Sequence, residues 1–224
     1  MEIAPNVHLV PGITANPYLI VDSDGVTLID AGLPGSDRKI LQALADLGHA
    51  PQGLKRILIT HADFDHVGGL GALKAATAAR VYASRIEAEA ISVGHASRPL
   101  KPSNFLLKMI FAVTAFLVKP TPVRVDELLS DGQVLPVLGG LRVVETVGHT
   151  PGHVSFFAPS AGVLFVGDSL VSEESGLRGS RGANTWDQAK ADESVRKQAV
   201  LGARLVCPGH GAVVGEAAGK FPRM

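Results

Sequence analysis

Thr60-His61-Ala62-Asp63-Phe64-Asp65-His66 sets two imidazoles and two carboxylates within six positions at the end of a predicted strand. Three more groups of the same kind lie far downstream, each beside a glycine: Gly148-His149, Gly167-Asp168 and Gly209-His210. Imidazole and carboxylate donors suit zinc, iron or manganese at neutral pH, where both are available with little cost of deprotonation. His61, Asp63, Asp65, His66, His149, Asp168 and His210 are too many for one tetrahedral ion, so the sequence predicts two divalent ions sharing a carboxylate. Water held by such ions has its pKa lowered to about 7, and a hydroxide there is a strong nucleophile. The chemistry to expect is metal-assisted hydrolysis.

Short loops on strand ends must bring these residues together. Leu54 to Thr60 reads as the buried strand that delivers the cluster. Alternation along an extended exit predicts His61, Asp63 and Asp65 on one side, with His66 reaching round from the next turn. Upstream, Val7 to Val10, Tyr18 to Val21 and Val26 to Ile29 read as strands, with a turn at Asp22-Ser23-Asp24-Gly25. A helix is predicted from a Ser36 or Asp37 cap, with Ile40, Leu41, Leu44 and Leu47 on one face and Gly48 as its stop. A second helix, Leu70 to Ala79, follows Gly68-Gly69, and Val81-Tyr82-Ala83 is a strand. Residues 84 to 125 read as an inserted helical cover broken by Gly94, Pro99, Pro102, Pro120 and Pro122. Strands return at Val134 to Leu138, Leu141 to Thr146, Val154 to Ala158 and Val163 to Val166, then a helix near Trp186 to Leu201 and a last strand at Leu205-Val206. This strand and helix rhythm is α/β, in two similar layered halves.

Composition narrows the partners. Lys plus Arg and Asp plus Glu stand at 21 each, which lacks the basic footprint of a nucleic-acid binder. With 46% apolar residues in 224, a sizeable core is available. Phe105 to Val118 is the longest apolar stretch, contains Lys108 and falls short of the roughly 20 residues needed to span a bilayer. It is expected to wall an apolar substrate pocket through Phe111 and Phe116, or to form the face of a homodimer. The lone Cys207 cannot close an internal disulfide and reads as a buried small hydrophobe. With no secretion signal in MEIAPNVHLVPG, the expected location is the cytoplasm.

In order, Leu28-Ile29-Asp30-Ala31-Gly32, Thr60 to Gly69, Gly148-His149-Thr150-Pro151-Gly152-His153, Gly167-Asp168-Ser169 and Pro208-Gly209-His210-Gly211 resemble the metallo-β-lactamase fold superfamily, which includes glyoxalase II-like thioesterases and acyl-homoserine lactonases. The resemblance implies one domain over residues 1–224, a four-layer αββα sandwich with the helical insertion at about 84–125. It assigns His61, position 63 and His149 to a first metal, Asp65, His66 and His210 to a second, and Asp168 to a bridge. Asp65 is implied to orient the attacking hydroxide, and an ester, lactone or thioester is the implied substrate. Phosphodiester hydrolysis, or metal binding without hydrolysis, is the alternative.

The family pattern is His-x-His-x-Asp-His, and Asp63 takes the place of its second histidine. A carboxylate is a harder donor, so zinc is the general expectation and iron or manganese the expectation at the Asp63 site. His153, Asp30 and Thr60 are expected to steady the ligands from behind, while His8, His49 and His95 read as structural.

Overall fold

Residues two apart in the strands share a face, and in this chain both faces are apolar. In a computed structural model that describes residues 1–99, 120–174 and 176–222, this pattern produces three separate cores. Along β3 (Tyr18–Asp22), Tyr18 and Ile20 enter one core while Leu19 enters another, and β4 (Gly25–Ile29) and β5 (Leu54–Leu58) divide their residues likewise. On the other side, β10 (Val154–Ala158) sends Phe156 inward and Phe157 outward, and β11 (Val163–Gly167) alternates Phe165 with Leu164 and Val166.

The middle core lies between two sheets. Tyr18 and Phe165 meet there edge to face at 5.4 Å, and burying side chains of this size contributes about 1.5–3 kcal/mol each. The first outer core takes Ile40 and Leu44 of α1 (Asp37–Asp46), Leu70 and Leu73 of α3 (Leu70–Thr77), and Ala88 and Ile91 of α4 (Arg85–Val93). The second takes Val195 of α5 (Gln188–Ala199). Helices, sheet, sheet and helix are the four layers of an αββα sandwich.

Among the described residues the first sheet runs β1 (Glu2–Ala4), β2 (Val7–Leu9), β3, β4, β5, β6 (Arg80–Ser84), β7 (Glu127–Leu129). The second runs β15 (Val214–Gly215), β14 (Leu205–Pro208), β11, β10, β9 (Leu141–Glu145), β8 (Val134–Leu135). β12 (Leu170–Glu173) and β13 (Gly176–Gly179) form a separate ribbon. No helix among the described residues is long and apolar enough to cross a membrane.

Several expectations need correction. The expected extended exit from β5 ends at Asp63: residues Phe64–Val67 form a short helix, α2, so Asp65 and His66 leave a helical turn. Ser36 precedes α1 but makes no capping hydrogen bond through its side chain. Strands β1, β7, β12, β13 and β15 have no counterpart in the sequence pattern, since they are short and depend on neighbours rather than on their own alternation. Of the inserted cover, α4 is helical; residues 100–119, with the Phe105 to Val118 stretch, lie outside the described residues.

Candidate metal centre

Five of the seven candidate ligands come from loops that follow β-strands, and Asp65 and His66 come from the short helix α2. Asp30, just past β4, adopts a left-handed backbone (φ 57°), which turns its carboxylate under the β5 exit. That carboxylate accepts hydrogen bonds from the Thr60 amide at 2.9 Å, the Thr60 hydroxyl at 2.8 Å and His66 Nδ1 at 2.8 Å. The Thr60 hydroxyl has one proton, given to Asp30, so it accepts from His61 Nδ1 at 2.9 Å. Both imidazoles therefore keep Nε2 free, and both Nε2 atoms are buried without a hydrogen-bond partner.

His153 behaves differently. Its Nδ1 meets Thr146 Oγ1 at 2.8 Å, and its Nε2 accepts the backbone N–H of Asp168 at 3.1 Å. Burial pushes its pKa down to about 3, leaving a neutral ring that anchors the Asp168 loop instead of facing an ion. Asn16 and Tyr18 pin the neighbouring loop, donating to the Pro208 carbonyl at 3.0 and 2.7 Å, with a further Asn16 bond to Gly211 at 2.8 Å. This fixes His210 between them.

Three overlapping groups of donors result, of which His61, His66 and Asp168, within 4.8 Å of one another, join the other two. Asp65, His66 and His210 place one donor atom each within 4.8 Å of one another, and Asp168 lies beside them. His210 Nε2 is 3.2 Å from Asp65 Oδ2 and 3.4 Å from Asp168 Oδ2, and His66 Nε2 is 3.2 Å from Asp168 Oδ1. The last pair is close but not aligned as a hydrogen bond, and both atoms are unsatisfied. Hydrogen bonds to Asp168 and Asp65 push the His210 pKa up to about 10. Burial alone would lower that of His66, but the carboxylates of Asp168 and Asp30 outweigh it and raise it. This clustered negative charge recruits protons where a divalent cation would satisfy it, so the donor set fits a metal ion.

The other cluster is His61, Asp63 and His149, again within 4.8 Å. His149 Nδ1 is held by Ser180 Oγ at 3.0 Å, and its Nε2 lies 3.1 Å from Asp63 Oδ2. Here another group is already present: Arg98 Nη2 donates to Asp63 Oδ2 at 2.7 Å and lies 3.4 Å from His149 Nε2. Glu87 ties the parts together. Its buried carboxylate accepts from the Ala62 amide, Thr150 Oγ1, the Gly152 amide and Ser97 Oγ at 2.6 to 3.0 Å. Ala62, Thr150 and Ser97 are the chain neighbours of Asp63, His149 and Arg98. Arg98, Glu87 and Ser180 carry no motif; the unusual Asp63, a charge in need of a partner, was the available hint.

The chain belongs to the metallo-beta-lactamase superfamily, whose family model matches residues 10–210, and it is a metal-dependent hydrolase. It is 30% identical to the probable metallo-hydrolase YflN of Bacillus subtilis over 94% of this chain and 85% of that one. A hydroxyacylglutathione hydrolase of Cereibacter sphaeroides is 30% identical, over 90% of this chain but 64% of its own length. Among solved structures, a metallo-beta-lactamase family protein from Thermus thermophilus superposes with a TM-score of 0.72 at 27% identity, covering 98% of this chain and 78% of that one.

Proposed function

We propose that the chain hydrolyses a small ester, thioester or lactone at a divalent ion held by Asp65, His66 and His210 with Asp168. The observation that carries this reading is the pair of buried, unsatisfied atoms His66 Nε2 and Asp168 Oδ1 facing each other beside Asp65 and His210. Zinc suits this set of two imidazoles and two carboxylates. When bound, such an ion supplies a Lewis acid and lowers the pKa of water to about 7.

The chain's own residues do the rest. Asp30 and the Asp168 amide contact with His153 hold the donors in place, so little reorganisation accompanies the reaction. Asp65, less buried than His66, is open to solvent on one side and would accept a hydrogen bond from the attacking water. Phe64, 50% exposed between Asp63 and Asp65, supports a substrate with an apolar portion. Acylglutathione is a thioester, so the hydroxyacylglutathione hydrolase relatives favour that class. The buried, unpaired Cys207 supports a reducing cytoplasmic setting.

The test is a panel of thioesters, lactones, simple esters and phosphodiesters on protein of measured metal content. Thioester, ester or lactone turnover that disappears in Asp168→Ala is the expected result. Turnover of phosphodiesters alone, or none at full metal load, would overturn the proposal.

A further inference from the structure

The His61, Asp63 and His149 cluster already holds a cation. Arg98 Nη2 is 2.7 Å from the Asp63 oxygen that would face an ion, and the two side chains are only 4% and 13% exposed. We infer that the Arg98 guanidinium is the resident cation of this cluster, so that the chain loads one divalent ion, at Asp65, His66 and His210, where its motif suggests two. The inference rests on the metallohydrolase reading for that one ion.

Three observations converge. First, Asp63 is the one carboxylate of the three, and only a carboxylate gives a guanidinium a charged partner. Second, Asp63 Oδ2 already has Arg98 Nη2 at 2.7 Å and His149 Nε2 at 3.1 Å, so two of the three donors face each other and the guanidinium. Third, the chain on either side of the ion pair is held: Ser97, the neighbour of Arg98, donates to the buried Glu87 at 2.9 Å, and Glu87 also accepts from the Ala62 amide beside Asp63.

A divalent ion entering this cluster would meet a buried positive charge at contact distance and would have to break a buried ion pair, leaving the guanidinium without its partner. The second cluster has no such obstacle. Among the described residues, Asp65, His66, His210 and Asp168 form ion pairs with one another and with Asp30 and His149, and none with Lys or Arg. Part of the positive charge that a divalent ion would bring is thus supplied by the chain itself, against Asp63.

Metal counting tests the inference without reference to activity. The full chain is stripped with a chelator, reloaded with excess zinc or, separately, manganese, desalted and measured by elemental mass spectrometry. The native protein is expected to hold one ion per chain. Arg98→Met, which removes the charge and keeps an unbranched apolar stem, is expected to hold two. Asp63→His should also hold two, because it replaces the carboxylate that retains the guanidinium with an imidazole donor. Circular dichroism confirms that each variant folds, and either folded variant suffices.

Two ions in the native protein, or one in both folded variants, would overturn the inference. An empty native protein would overturn it together with the metal site on which it rests. Two native ions with hydrolysis intact would sink only the Arg98 assignment; one native ion and two in a variant, with no hydrolysis of any panel substrate, would support the assignment and sink the proposed function.

Discussion

Asp30 Oδ2 lies 2.8 Å from His66 Nδ1 and 2.8 Å from Thr60 Oγ1, and that hydroxyl lies 2.9 Å from His61 Nδ1. One carboxylate therefore sets the proton position on two imidazoles, one directly and the other through a hydroxyl. Without it, each ring could place its proton on Nε2 and present a donor to the other ligand atoms instead of a lone pair.

Asp30→Asn should weaken zinc binding by about 10–100-fold, the usual effect of losing the group behind a ligating histidine. Asparagine tolerates the left-handed backbone at position 30, so the change isolates the lost charge from backbone strain. Competition with a chromogenic chelator at pH 7 reads the affinity directly. Native affinity in the variant would show that Asp30 merely shapes the turn.

Much of this centre was legible in the sequence because ligand type, glycine context and chain order are local. His61, Asp63 and His149 do converge on one cluster and Asp65, His66 and His210 on another, each within 4.8 Å. The layered fold was legible from strands such as β3 and β11, whose residues alternate between two apolar cores. Alternation failed beyond Asp63 because a helical turn at Phe64–Val67 takes over there, sending Asp65 toward His210 and bringing His66 back beside His61, with 4.1 Å between ring centroids. Arg98 and Glu87 were invisible for a different reason. Their roles depend on contacts 35 and 25 residues distant, which no local spacing encodes.

Glu87→Gln should destabilise the protein by about 1–3 kcal/mol, the cost of leaving a buried donor unmet. The carboxylate only accepts, and four donors surround its two oxygens. An amide must turn its NH2 toward at least one of them. At about 2–4 °C per kcal/mol for a chain of this size, the loss is visible in a thermal melt. An unchanged midpoint would mean that the network relaxes freely.

Asp126 gives the pH dependence a sign away from the metal centre. Burial would raise its pKa, but the hydrogen bonds from Lys74 Nζ at 2.7 Å and the Val81 amide at 2.9 Å outweigh it and hold the pKa below the ordinary 3.8. A depressed folded pKa stabilises the native state above the unfolded value, and that contribution is lost as the pH falls through the folded one. Asp126→Asn should therefore be less stable than the native chain by about 1 kcal/mol at pH 7, a figure reduced for partial exposure. The gap should narrow as the pH falls below 3.8. Urea unfolding from pH 5 downward would contradict this if the gap stayed constant.

Gly209→Ala should separate metal binding from folding. A Cβ there would lie 2.5 Å from Asp168 Oδ1 and 2.7 Å from His66 Cε1, so the collision falls on two candidate ligands. Its backbone is outside the left-handed region, and alanine brings no added backbone strain. The metal-free variant should lose about 1–3 kcal/mol of stability, the ordinary cost of overpacking, while zinc affinity falls at least about tenfold because Asp168 and His66 are pushed from their places. Gly148→Ala supplies the contrast. Its φ is 140°, and a Cβ would stand 2.3 Å from the backbone nitrogen of Ala191 in α5, so strain and collision both strike the scaffold. Its larger effect should appear in the melting temperature of the metal-free protein. If Gly209→Ala instead kept native zinc affinity, the loop would have to move as a unit, and the close packing of Asp168 against His66 could not be what places the ion.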